Sequence, residues 1–328
     1  MRLPRIGGWP FAFVAAAFLA CVGGDPDTNA TESASDGGGA SSSGSTTDGS
    51  ANDGTSSGSD GGLDAAPRCD PKKPFEDPKP APSSAALNTP DKGEANISLS
   101  DDELIAVIER DGDIMYASRS SRDVDFPAPT YDNVVTISVS GQFEGSPSLT
   151  GDGKSLYFVR VPTSTGEPTL FVARREDVKE SFAEPVAVKV DGAATAAGNY
   201  VRINRAGNRL VWTCDDCAST YLADRSAGAF DTFVSKRALA ANLVSPAFSG
   251  DELSIYFNDV GDGGGLVMRY ATRPTTGAAF GVNLDMPDNL LSGYFPLHVT
   301  PDECVFYVST TKASDAGKYD IWEARRPQ

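Results

Sequence analysis

Three landmarks recur about every fifty residues, and together they predict an all-β fold for residues 68–328, a five-bladed β-propeller closed into a ring. The first is Phe with Pro three residues on, at Phe75, Phe126 and Phe182, with weaker copies at Phe230 and Phe280; the spacings run from 48 to 56 residues. The second is a Ser/Thr-x-Asp turn followed by alternating apolar residues, opening at Ser100, Thr150, Ser249 and Thr300. A copy at Asn204 keeps the alternation and lacks the Asp. The third is Ala-x-Arg, ending at Arg119, Arg175, Arg225, Arg273 and Arg326, once in every unit.

The start of the chain reads differently. Arg2 and Arg5 precede an apolar run from Ile6 to Ala20, too short to span a bilayer comfortably, so residues 1–20 read as a secretory signal. Phe18-Leu19-Ala20-Cys21 resembles a bacterial lipobox, with Phe18 where Leu is usual. That implies a diacylated Cys21 as the mature N-terminus; the plainer reading is a signal with a chance cysteine. Residues 21–67 are mostly Gly, Ser, Thr, Asp and Ala, with too little apolar mass to offset their ordering entropy, and read as a flexible linker. Gly54 to Gly58 spells a serine-hydrolase elbow, but no strand leads into it and no helix follows, so it is read as chance.

The second unit shows the expected blade. An inner strand over Ser146–Thr150 turns at Gly151–Lys154, a second strand runs from Ser155 and a third from Thr169. A last segment holds Pro185, which fits only an edge strand. The final strand around Ile321 and Trp322 has no fourth strand after it, while the segment from Pro74 has no unit of its own. Pairing the two is expected to close the ring. The stretches SPSLTGDGKSLYF, SPAFSGDELSIYF, TPDECVFYV and YDIWEARR resemble the WD40-like repeat of TolB-type propellers. That resemblance implies the fold and says little about function. TolB-type proteins typically have six blades and an extra N-terminal domain, so six blades is the alternative count and the TolB function is not carried over.

Besides Cys21 the chain has Cys69, Cys214, Cys217 and Cys304. An even number in an exported domain points to disulfides. Cys214 and Cys217, separated by two Asp, read as a loop disulfide, with a zinc half-site or a redox pair as alternatives. Cys69 and Cys304 then pair by elimination, and a four-stranded blade starts its second and fourth strands on the same rim. Asp259 and Asp262 read as part of a glycine-rich hairpin rather than a Ca²⁺ loop. No metal or other cofactor is expected.

The formal charge of −17 argues against a general nucleic-acid binder. The single histidine, His298, argues against Ser-His-Asp chemistry and reads as a packing residue. The inner strands are apolar and hydroxyl-rich, with Arg202 as their only charge. Glu94 and Glu144, at matching positions before two inner strands, are the candidates for a glycosidase acid and base, and are read instead as solvated loop residues. The repeated Arg is expected to pair with the turn Asp (Asp102, Asp152, Asp251, Asp302), leaving Arg225 without one. The expectation is a non-catalytic lipoprotein of the bacterial envelope, at the periplasmic or surface face of the outer membrane. Its propeller would bind an envelope protein or polysaccharide, with membrane contact through the lipid alone. The alternative is a carbohydrate-binding or glycoside-hydrolysing propeller.

Overall fold

Each unit of the repeat folds as a small antiparallel sheet, and five such sheets stand in a ring. The computed structural model describes residues 68–80, 86–162, 166–195, 198, 200–214, 219–241, 243–260, 265–311 and 318–328. Blade one holds Glu94–Leu99, Ile105–Arg110 and Asp113–Ser118, edged by a bridge from Tyr116 to Thr130. Blade two holds Gln142–Leu149, Ser155–Pro162, Thr169–Arg174 and Val186–Ala187. Blade three holds Val201–Ile203, Arg209–Cys214, Ser219–Arg225 and Thr232–Ala241. Its outer strand also pairs in parallel with Lys189–Val190, so the connector from blade two joins this sheet. Blade four holds Val244–Phe248, Ser254–Val260, Leu266–Thr272 and Leu284–Asp285. Blade five holds Phe295–Val299, Val305–Thr310 and Asp320–Arg325.

The Ser/Thr-x-Asp turns are held by their own side chains. Ser100, Thr150, Ser249 and Thr300 donate hydroxyl hydrogen bonds of 2.5–2.7 Å to the Asp two residues on. Each hydroxyl oxygen also accepts the backbone N–H five residues on. The Asp carboxylate accepts the N–H of Leu104, Lys154, Leu253 or Cys304. In blade three Asn204 takes over: its side-chain oxygen accepts from the N–H groups of Asn208 and Arg209. The residue after the Asp, or its blade-three equivalent, turns left-handed, as Glu103, Gly153, Gly207, Glu252 and Glu303 with φ between 58° and 70°. Neighbouring turns also press on one another. A Cβ on Gly151 would stand 2.3 Å from an Asp101 oxygen, and one on Gly250 2.2 Å from the Pro301 carbonyl.

The repeated Arg does not pair with the turn Asp, whose carboxylate is already engaged in the turn. It binds the residue that follows. Nε of Arg119, Arg175 and Arg273 donates to the carbonyl oxygens of Glu103, Gly153 and Glu252. Each guanidinium lies over the landmark Phe of its blade: Arg119 on Phe126, Arg175 on Phe182, Arg273 on Phe280 and Arg326 on Phe75, at 4.2–4.4 Å. In blades one, four and five it also reaches the carboxylate of the left-handed Glu, at 3.7, 3.9 and 3.8 Å. Blade three departs from this. Gly207 brings no carboxylate, Arg225 is exposed, and Phe230 lies under Arg174 of blade two at 4.8 Å.

The ring closes as expected. Phe75, the first landmark Phe, sits under Arg326 of blade five. Glu76 donates its N–H to the Arg325 carbonyl, and Lys79 and Glu323 exchange backbone hydrogen bonds of 2.9 Å. Cys69 and Cys304 form a disulfide across 235 residues of sequence. The apolar core lies between blades. Ile97, Phe126, Leu297, Tyr307 and Ile321 pack blade one on blade five. Phe75, Tyr256, Phe306 and Val308 pack blade four on five, and Val107, Leu156, Phe158 and Phe182 pack one on two.

Arg175→Ala removes a buried hydrogen bond and an Arg–Phe contact, and is expected to cost about 1–3 kcal/mol in urea unfolding. Arg225→Ala, with no such clamp, should cost less than about 0.5 kcal/mol. Equal losses would contradict the clamp.

Candidate functional site

The inner strands are irregular where they line the axis. Register shifts fall between Glu94 and Asn96, Gly145 and Ser148, Val244 and Ala247, and Pro296 and His298. Ser146 and Ser245 take left-handed φ there, both 53°. Such bulges re-aim side chains, and here polar groups meet at the axis. Buried Arg202 donates from Nη2 to Asn96 Oδ1 at 3.0 Å and from Nη1 to Ser146 Oγ at 3.1 Å. Asn96 Nδ2 in turn donates to Glu109 Oε2 at 2.7 Å, which also accepts the Ser146 N–H at 2.8 Å. The two charges are therefore joined through an amide and a hydroxyl. Burial raises the Glu109 carboxyl above its ordinary range, against the Ser146 and Asn96 hydrogen bonds. Burial also pulls Arg202 down to about 10, against the pull of Tyr200 and Glu109.

His298, the chain's one histidine, stands at the inner-strand position equivalent to Arg202. It lines an axial cavity of about 40 Å³. A water in liquid occupies about 30 Å³, so the axis has room for water and not for a sugar ring. Burial, and then the neighbouring cations Arg202 and Arg205, lower the imidazole to about 3. Arg205 caps this channel, donating to Asp101 Oδ1 at 2.7 Å and to the Gly250 carbonyl at 3.1 Å.

Glu94 and Glu144 do not form a catalytic pair, and they are not solvated. Both are fully buried. Arg110 Nε donates to Glu94 at 2.7 Å and Arg160 Nε to Glu144 at 3.1 Å, each within one blade. The same arginines donate to the carbonyls of Leu87 and Ile137. Each Glu also accepts the backbone N–H five residues before it. The result is one clamp used twice, tying the lead-in loop to the blade. Burial pushes the Glu144 carboxyl up to about 7, with Arg160 opposing.

The open concavity lies at the other end of the axis, among the turns between first and second strands. It is a recess of about 650 Å³ drawn from blades one to four. Arg174, Arg205, Arg225, Asp101, Glu252 and Phe230 line it. Arg205 is paired with Asp101, and Glu252 accepts from Asn204 Nδ2 at 2.7 Å and faces Arg209 at 3.5 Å. The opposite face, with the loops between second and third strands, lies partly outside the described residues. Cys21, Cys217, the Cys214 side chain and Asp262 lie outside them too. Asp259 is engaged by Arg269 Nη1 at 2.8 Å.

No family model matches the chain, and no curated protein matches its sequence. Solved structures do share its fold. An exo-β-1,3-galactanase from Phanerochaete chrysosporium, solved with β-1,3-galactotriose, is 10% identical over 76% of this chain and 63% of its own, with a TM-score of 0.51. The catalytic domain of a Coprinopsis cinerea GH62 α-L-arabinofuranosidase is 11% identical over 78% of this chain and 97% of its own, at 0.49. TolB from Acinetobacter baumannii is 15% identical over 72% of this chain, at 0.43; the chain spans 55% of that protein's length. The expectation of a non-enzyme is corrected on this point, because the galactanase, an enzyme, shares the fold.

His298 gives this region a direct probe. A group depressed in the folded state contributes stability that is present above its ordinary pKa, near 6.5, and lost as pH falls toward the folded value of about 3. The single imidazole resonance in an NMR titration should therefore stay in its neutral position from pH 8 to about 5. A midpoint near 6.5 would contradict the burial.

Proposed function

We propose that the chain is a carbohydrate-active propeller that takes a saccharide in the recess on its turn face. The observation that carries this reading is the lining of that recess. Guanidinium and carboxylate groups, which hydrogen-bond to neighbouring hydroxyl pairs, stand beside the ring of Phe230 in a cavity of about 650 Å³. That volume is within the range of sites for small ligands. At the level of fold, the galactanase solved with a trisaccharide supports it. Any hydrolysis there would draw on Asp101 and Glu252, since Asp152 is consumed by its turn. Among the described residues the exposed large apolar side chains are Val124, Tyr131 and Val135 ahead of blade two, Val186, Val234, and Val282 with Leu284, and none of them lines the recess. The same reading places the propeller in the bacterial envelope, tethered by residues 21–67 to a lipid on Cys21.

The test is a glycan array together with a polysaccharide-cleavage screen, run on the purified chain and on Phe230→Ala. The expected result is saturable binding or cleavage of at least one glycan class, weakened by the substitution. Clean negatives on both, with a protein captured from envelopes, would overturn the reading.

A further inference from the structure

We propose that the saccharide is anionic, and that its carboxylate is held by Arg225 and Arg174; this rests on the carbohydrate reading above. The argument comes from the repeat itself. In blades one, four and five the Ala-x-Arg guanidinium faces a carboxylate from its own turn, Glu103, Glu252 or Glu303. In blade three that turn position is Gly207, and the arginine is kept while its acid is not. Blade two also has a glycine there, but Arg175 is buried beneath its blade. Arg225 alone is exposed and lines the recess.

Arg174 lines the same recess. Its guanidinium lies 4.8 Å from the centre of the Phe230 ring, and its Nε is buried with no hydrogen-bond partner. Among the described residues neither Arg174 nor Arg225 has a carboxylate within ion-pair distance or a side-chain hydrogen bond. Both cations line one recess whose acids are held by other groups, Asp101 by Arg205, Asp152 by its own turn and Glu252 by Asn204, which leaves the two guanidinium groups open to an added anion. Guanidinium groups meet carboxylates in bidentate, planar geometry. Phe230 and the Ser155 hydroxyl, also on the recess wall, suit the rest of a sugar ring. The class is therefore a uronic-acid oligosaccharide, with its carboxylate held by Arg225 and Arg174.

The experiment is calorimetric titration of the purified chain with oligosaccharides of galacturonic, mannuronic and glucuronic acid, their methyl esters, neutral oligosaccharides and inorganic phosphate. At least one uronate should bind, and its ester should bind at least about tenfold more weakly. Arg225→Gln should weaken the uronate by a similar factor. Arg174→Gln, which removes the other guanidinium, should do the same. Arg225→Gln, whose side chain is exposed, should keep the melting temperature of the parent. Neutral and esterified sugars binding as well as uronates would overturn the anionic claim and leave the carbohydrate reading standing. No sugar of any kind binding, with or without phosphate binding, would overturn both. Uronate binding unchanged in both variants would remove it from this site.

Discussion

Every blade in this molecule buries its faces against its neighbours, so the structure depends on closing the ring between the segment at Phe75 and the last strand. That junction combines several interactions. The Phe75 ring lies under Arg326 and among Tyr256 and Phe306. Backbone hydrogen bonds run from Glu76 and Lys79 to the strand Asp320–Arg325. The Cys69–Cys304 disulfide closes a loop across 235 residues in the unfolded chain, which by chain entropy is worth at most about 5.5 kcal/mol. Arg68 adds a polar seam on the same rim, donating to Glu103 of blade one and Asp302 of blade five.

The Arg–Phe clamp explains why the landmarks recur in phase. The outer edge of a blade has few partners, and a guanidinium stacked on Phe fastens it to the third strand while its Nε caps the first turn. Sequence spacing exposed the positions but not their partner, because the turn Asp and the left-handed Glu are adjacent in sequence and only the fold separates their roles. The Asp closes the turn from within, and the Glu faces outward to the arginine.

The ring, the blade order and the disulfide were legible because each follows from period-two patterning and counting. The buried polar centre was half legible. Arg202 stood out as the one charge on an inner strand, whereas Glu109 was not singled out. A comparison across the repeat holds the signal, since the equivalent residues are Val159, Thr213, Asn258 and Ser309. Glu94 and Glu144 were found at matching positions but misread as solvated. Each is followed sixteen residues later by Arg110 or Arg160, which is the mark of a clamp. The recess was not legible, because its lining comes from turns of four blades that only ring curvature brings together.

The centre and the recess are coupled through Arg205, which closes the axial channel with one hydrogen-bonded arm on blade one and another on blade four. Function at the recess thus rests on the same closure as stability. Native-state hydrogen exchange on Phe75→Ala tests this most directly. The account predicts that amides of Val211 and Trp212, across the ring in blade three, lose the same protection as those of Phe306 beside the substitution, because all open in one global step. Loss of protection confined to blades four, five and one, with blade three unchanged, would contradict it.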